Sequence, residues 1–590
     1  MRLAWPETMP SPDLNFRSPT RESLRRDASA ALVVSFMAIP QGVACAVIAG
    51  LPPASGIYAA SFPAIVGSLF RSSRHVITGP TNALSLLVGG ATLALAGAED
   101  PVQIAVTLAL LVGLFQVTAG VLRLGPVVDY LSSPVVLGYI TGAGVLIGLG
   151  QLPNLTGTSG STGHLLRKLI GWLGGLGALE PLTLGVGLAT VAALLGLKRW
   201  APRSPAPLVV LVGGVAASLV FDLSSLGVTV VSDLSPVARG LPPFTMPALG
   251  SVAQLAPIAL AATVLSLVES TAVARSIAAR TGDRLDASRE FIGQGLSNVV
   301  AAFCGGYPVS GSLSRSTLNH ASGAETRLAG VFSGGLLLVV LVTVGPVLDA
   351  TPVASLAGLL VVVAWDLVDV PRIVRAVRAG PGDALAFFGT LVGTWSLPLD
   401  RAIYLGVGIS IVLFLQRARM LVVRELVVGD SGRLREAPLA RVPDPARSCP
   451  GVRILHIEGP LFFGAAGELQ AALDDITASP LLQVLILRLK RTQGLDATTV
   501  EVLEAASRRL SETGRHLLLV GMRPAEMAVL ERTGAADRLS RDQLFPTQRV
   551  WFKAMNEAVA LACELRRDHG CEVCALGRLA GMAAPGEPQE

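Results

Sequence analysis

The chain has 590 residues, 51% hydrophobic and 15% charged, where soluble domains carry roughly a quarter charged residues. That balance points to a membrane protein, and the length asks for two or more domains. The formal net charge of +5 comes without an aromatic-interleaved basic stripe, so nucleic acid is not the implied partner.

The charges are unevenly spread. Residues 28–416 hold 35 Asp, Glu, Lys and Arg in 389 positions, and residues 28–70 hold none. Six cysteines, at 45, 304, 449, 563, 571 and 574, are too scattered for a secreted disulfide framework. Residues 1–27 are polar, with Arg17, Arg21, Arg25 and Arg26 but no short apolar core before a small-residue cleavage site. They read as a cytoplasmic tail, and the first apolar run is retained. The excess of Arg over Lys points to a GC-rich bacterial genome, hence to a bacterial inner membrane.

A helix needs about 20 apolar residues to span the hydrocarbon. Runs nearly free of charge fall at 28–48, 54–70, 82–97, 102–122, 130–151, 177–197 and 205–221. A second set falls at 255–279, 286–304, 312–320, 328–348, 351–368, 383–399 and 402–416. The expectation is a mostly α membrane protein of 14 transmembrane segments in two sets of seven, over residues 28–424. The run at 82–97 is short, and 312–320 is much too short to cross.

With the N-terminus inside, the inner segments gather Arg17, Arg21, Arg25, Arg26, Arg71, Arg74, Arg123, Lys198, Arg199 and Arg203. Arg275, Arg280, Arg284, Arg289, Arg327, Arg372, Arg375, Arg378, Arg417 and Arg419 complete the group. The outer segments keep Arg167, Lys168, Arg239 and Arg401. Twenty against four puts both termini in the cytoplasm.

The two sets echo each other. Gln41 in IPQGVACA precedes Thr81 in ITGPTNALS by 40 positions, and Glu269 precedes Ser310 in YPVSGSLS by 41. Paired Gly/Pro-interrupted segments in corresponding places point to a transporter site between inverted repeats. Within 263–319, the apolar run that follows Pro257 carries a single carboxylate, Glu269, and the Gly/Ser-rich break YPVSGSLSRS a single cation, Arg315. Ionisable groups at membrane depth are costly and mark function.

Residues 425–450 form a polar, Pro-containing linker. Over 451–560, strand-like VRILHIEG, LLQVLILRLK and HLLLVGM alternate with amphipathic helices, the pattern of a small α/β domain. Residues 561–590 form a tail. No Ser-His-Asp, zinc-protease or P-loop pattern occurs, so neither an enzyme nor a cofactor is expected.

These strings resemble the SulP anion permeases, the SLC26 sulfate transporter family, with a C-terminal STAS domain. The resemblance runs over about 20–560 and rests on IPQGVACAVIAGLPPASGIYAA, SSRHVITGPTNALSLL, VESTAVAR, EFIGQGLSNVVAAFCGGYPVSGSLSRSTLN, EGPLFFGAA and GLDATT. It implies two inverted seven-segment repeats, a core domain moving against a gate domain, and a homodimer.

By that resemblance, an inorganic anion sits between the facing N-termini of two short helices. Thr81, Asn82 and Ala83 open the first, and Ser312, Leu313, Ser314 and Arg315 open the second. Unpaired N–H groups and positive dipole ends suit an oxyanion there, and Gln41 adds an amide donor. Cys45 stands where many relatives carry Tyr, which bears on pocket size. The expected activity is sulfate transport with proton symport. Bicarbonate transport or chloride exchange are the alternatives within the family, and an anion sensor signalling through STAS the alternative outside it. Where sodium-coupled members tend to have Asp with a hydroxyl residue four positions on, this chain has Glu269 and Val273, too few oxygen ligands for a hard cation. Glu269 is therefore the expected proton carrier, holding Arg315 when ionised and releasing it to the anion when protonated.

In the STAS domain the loop carries Asp496, then Ala497 where anti-anti-sigma proteins carry a phosphorylated Ser. Thr498 is read as the helix N-cap or an alternative modification site. A STAS partner in the cytoplasm is left open. Cys563, His569, Cys571 and Cys574 offer a CxxC with two further ligands, at irregular spacing for structural zinc, so no metal is expected. His75 and His320 are read as solvated interface residues.

Overall fold

The computed structural model describes residues 20–95, 97, 99–126, 132–158, 165–201, 206–234, 241–429, 434–438, 449, 451–550 and 552–566. Arg17, Arg203, Arg239, His569, Cys571 and Cys574 lie outside the described residues, as do much of the expected N-terminal tail, linker and C-terminal tail. The chain divides into two compact units, Met1–Ile411 and Val412–Glu590.

The first unit is helical. Its first half runs α1 (Arg21–Ile48), α2 (Pro53–Phe70), β1 (Thr78–Gly79), α3 (Asn82–Ala94), α4 (Pro101–Val121), α5 (Ser133–Thr156), α6 (Leu165–Gly175), α7 (Pro181–Trp200), α8 (Ala206–Phe221) and the short α9 (Val231–Leu234). Its second half runs α10 (Val252–Thr281), α11 (Ala287–Phe303), β2 (Ser310–Gly311), α12 (Leu313–Ala321), α13 (Leu328–Leu348), α14 (Val353–Asp366), α15 (Val370–Ala379), α16 (Pro381–Ser396) and α17 (Leu399–Ala418), the unit boundary falling inside α17. Each of the fourteen apolar runs holds a helix; among the described residues eight helical stretches are long and apolar enough to cross a membrane, one of them Val353–Ala379, which α14 and α15 share. Proline at the first or second position starts α2, α4, α5, α7 and α16, where its missing N–H costs nothing. The amphipathic α6 and α15 were not expected from the sequence; their polar residues interrupt the apolar runs.

The order helix–helix–strand–half-helix–helix occurs in both halves, and the two strands meet. Thr78 pairs with Gly311 and Gly79 with Ser310, antiparallel. Such pairing of equivalent segments is what a two-fold axis between repeats produces. The strands carry backbone polar groups that no helix satisfies, so side chains of neighbouring helices must do it. Asn298 exchanges two hydrogen bonds with the Val309 backbone, at 3.1 and 2.7 Å, and Gln294 and Ser266 also donate to the Val309 carbonyl. Ser316 accepts from the Ile77 N–H at 2.9 Å. Glycine lets α1 and α2 touch: a Cβ on Gly56 would lie 1.9 Å from the Gly42 carbonyl oxygen.

In the second unit, β3 (Val422–Val428), β4 (Leu434–Ala437), β5 (Val452–Pro460), α18 (Ala466–Thr477), β6 (Val484–Gln493), α19 (Ala497–Ser511), β7 (His516–Met522), α20 (Pro524–Arg532), α21 (Ala535–Arg538), β8 (Leu544–Pro546) and α22 (Lys553–Glu564) build one α/β domain. The sheet order is β4-β3-β5-β6-β7-β8, with β5 to β8 parallel and β3 antiparallel to both neighbours. Alternate residues of β5 face opposite sides. Leu455 and Ile457 join the core under α18 and α19, and Val452 and Ile454 the core under α22. Arg453 and Glu425 form a buried ion pair with hydrogen bonds of 2.9 and 2.8 Å. Cys563 is buried in the α22 core and supplies packing.

Candidate functional site

A cavity of about 1780 Å³ lies inside the first unit. One wall is polar and comes from the N-termini of α3 and α12 with the middles of α1 and α10: Gln41, Thr81, Asn82, Ala83, Glu269, Ser312, Leu313 and Ser314. The facing wall is apolar and comes from α5 and α14, with Pro134, Leu137, Ile140, Leu359 and Val363. The mouth carries Lys198, Arg275, Arg372 and Arg375 together with Asp366 and Asp369. On the side away from the mouth the two layers are packed shut, Tyr139 and Ile403 joining the cluster of α3, α4 and α10, and the Tyr404 hydroxyl donating to the Pro257 carbonyl.

The two half-helices are capped differently. Ser312 caps α12 in the usual way, its hydroxyl accepting from the Arg315 N–H at 3.5 Å. Thr81 is the N-cap residue of α3 but makes no capping bond. Its hydroxyl is turned instead to Glu269 and donates to Oε2 at 3.1 Å. Among the described residues the first-turn N–H groups of α3 therefore have no side-chain acceptor, at a positive dipole end on the cavity wall. Gln41 donates to the Ser314 hydroxyl at 3.3 Å, and Ser312 and Ser314 lie 3.3 Å apart. One hydrogen-bonded group thus links α1 to α12, and another links α3 to α10.

Two expected site residues stand elsewhere. Arg315 does not line the cavity: it is fully buried behind β1, Nη2 donating to the Pro80 carbonyl while Nε and Nη1 have no hydrogen-bond partner among the described residues. Gly79 makes the room, since a Cβ there would lie 2.1 Å from Nη1. No ion pair joins Arg315 to Glu269 among the described residues; the guanidinium reaches back across β1, and the carboxylate is held by Thr81. Cys45 is likewise buried and off the cavity, donating to Asn82 Oδ1 at 3.3 Å. Asn82, which it contacts, does line the cavity.

Two further readings change. His75 is buried rather than solvated, its Nε2 within 3.1 Å of the Ala324 carbonyl and its ring against His320. The N-cap of α19 is Asp496, not Thr498: Asp496 Oδ1 accepts from the Thr499 N–H and hydroxyl at 2.9 and 2.8 Å, and Oδ2 from the Phe463 N–H at 2.6 Å. Thr498 is exposed on the first turn. The residues that hold β2 in place, Gln294 and Asn298, went unnoticed, although polar side chains inside the apolar EFIGQGLSNVV were the signal.

Two half-helices meeting at a cavity between long apolar helices, with an α/β domain following, give the architecture of a membrane transporter with a STAS domain. The chain belongs to the sulfate permease family, whose model matches residues 24–390, and a STAS domain matches residues 445–549. It is 29% identical over 544 residues to "Probable sulfate transporter MT1781" of Mycobacterium tuberculosis, covering 90% of this chain and 96% of that one. It is 31% identical over 434 residues to human solute carrier family 26 member 6, covering 68% of this chain and 56% of that one. Among solved structures, SLC26A9 superposes with a TM-score of 0.82 at 20% identity, covering 93% of this chain and 92% of that one. The transmembrane domain of the cyanobacterial bicarbonate transporter BicA gives 0.56 at 22% identity, covering 66% of this chain and 97% of that one. Members of the family are transporters of inorganic anions rather than enzymes.

Proposed function

We propose that this chain carries sulfate across the bacterial inner membrane by proton symport, as a homodimer with both termini in the cytoplasm. The observation that carries the reading is the free first turn of α3 beside the Ser312–Ser314 hydroxyls on one cavity wall. An oxyanion entering there exchanges water for backbone N–H groups, two hydroxyls and two dipole ends. The basic mouth supports an inward-facing state, by the excess of Arg and Lys expected on the cytoplasmic side.

The arrangement around Thr81 supports a coupling route different from the one expected. An ionised Glu269 can only accept, so the Thr81 hydroxyl spends its hydrogen bond on the carboxylate. A protonated Glu269 can donate to Thr81 Oγ1, which frees that hydroxyl to donate to the anion and removes a negative charge from the cavity wall. Proton and dianion then load together. Arg315 supplies a fixed positive field from behind β1. In liposomes, labelled sulfate should accumulate under an imposed proton gradient and not under a sodium gradient. Bicarbonate accumulation under either gradient, with sulfate indifferent, would overturn the substrate assignment.

A further inference from the structure

The helix α15, which joins α14 to α16, buries none of its ten residues. Asp369 caps it, accepting from the Arg372 N–H at 3.0 Å, and pairs with the Arg372 side chain at 3.1 Å. Val370, Val374 and Val377 lie along one side and are 57%, 39% and 37% exposed. Arg372, Arg375 and Arg378 follow the other side at a spacing of three. Arg375 and Arg378 have no ion-pair partner among the described residues, and Arg375 lines the cavity mouth.

A helix of ten residues is about 15 Å long, too short to cross a bilayer. One apolar side and one cationic side suit it to lie in the interfacial plane instead, valines toward the acyl chains and arginines at headgroup level. The planar guanidinium fork matches a phosphate better than an ammonium does. Three arginines against one paired aspartate make an anionic headgroup the complementary occupant. We propose that Arg375 and Arg378 form a binding site for the phosphate of an anionic phospholipid, in the leaflet on which the cavity opens. The inference rests on the membrane-embedded fold and not on which anion is carried.

The test uses the full-length chain in mixed phosphatidylcholine and phosphatidylglycerol. Native mass spectrometry should find phosphatidylglycerol retained over phosphatidylcholine by roughly thirtyfold, the equivalent of about 1 kcal/mol for each arginine. The double variant R375Q/R378Q should fall to near parity, while a photo-crosslinking residue at Val377 should capture lipid. Equal retention by wild type and variant overturns the proposal, as does capture of a second copy of the chain at Val377. Neither readout needs transport, so a chain that moves no sulfate yet keeps the lipid preference would defeat the transport reading alone.

Discussion

Replacing Arg315 by Gln removes a positive charge that does not line the cavity and, among the described residues, pairs with no other charge. The guanidinium is 0% exposed, held by the Pro80 carbonyl and packed against Gly79. Its effect on a bound anion is therefore a field effect through the β1 backbone, and field effects scale with anion charge. Taking about 8 Å for a charge one backbone layer behind the anion and an effective dielectric near 20, the interaction is roughly 2 kcal/mol for each anion charge. Losing it should weaken a monoanion by about 30-fold and a dianion by about 1000-fold. Water in the open cavity screens both alike, so the ratio between the two anions carries the test. The assay is the apparent affinity for sulfate and for chloride in the same proteoliposomes, with Arg315→Lys as the variant that keeps the charge. The reasoning is refuted if R315Q weakens both anions by the same factor or leaves both unchanged.

Glu269→Gln should abolish the pH dependence of sulfate uptake while leaving exchange in the absence of a gradient; a preserved pH profile would remove Glu269 from the coupling. Gly56→Ala should prevent α1 and α2 from closing on each other, and the expected result is loss of folded protein in detergent; a variant as heat-stable as wild type would contradict the contact with Gly42. In the STAS domain, burial first and then the Arg488 guanidinium hold the His456 imidazole below its ordinary range near pH 6.5, against the pull of Glu458. The unfolded chain takes up a proton near pH 6.5 and the folded one only at lower pH. The stability of this domain should thus be constant above about pH 6.5 and decline below it. Pulse proteolysis of the full chain in urea reads this, and His456→Gln should flatten the acid limb.

The broad layout could be read from the chain because hydrophobic run length and charge placement are local properties. The fourteen apolar runs, the α/β repeat after residue 450 and the pairing of Gln41–Thr81 with Glu269–Ser310 needed no knowledge of tertiary contacts. The candidate site was legible as a set of segments, since Gly and Pro around Thr81 and Ser312 announce interrupted helices. Side-chain direction was not. Nothing in SGSLSRS says that Ser314 faces the cavity while Arg315, the next residue, turns behind β1. That depends on the missing side chain at Gly79, in the other half of the chain. Thr81 stands at the start of α3, and only the arrival of Glu269 from α10 diverts its hydroxyl. Helix α15 escaped notice because ten residues with three arginines match neither a span nor a loop.

The measurement closest to the central claim is anomalous diffraction from crystals grown with selenate, a sulfate isostere with its own scattering signature. A selenium peak is predicted within hydrogen-bonding distance of the first-turn N–H groups of α3 and the hydroxyls of Ser312 and Ser314. A peak found only among Lys198, Arg275, Arg372 and Arg375 at the mouth would contradict the account.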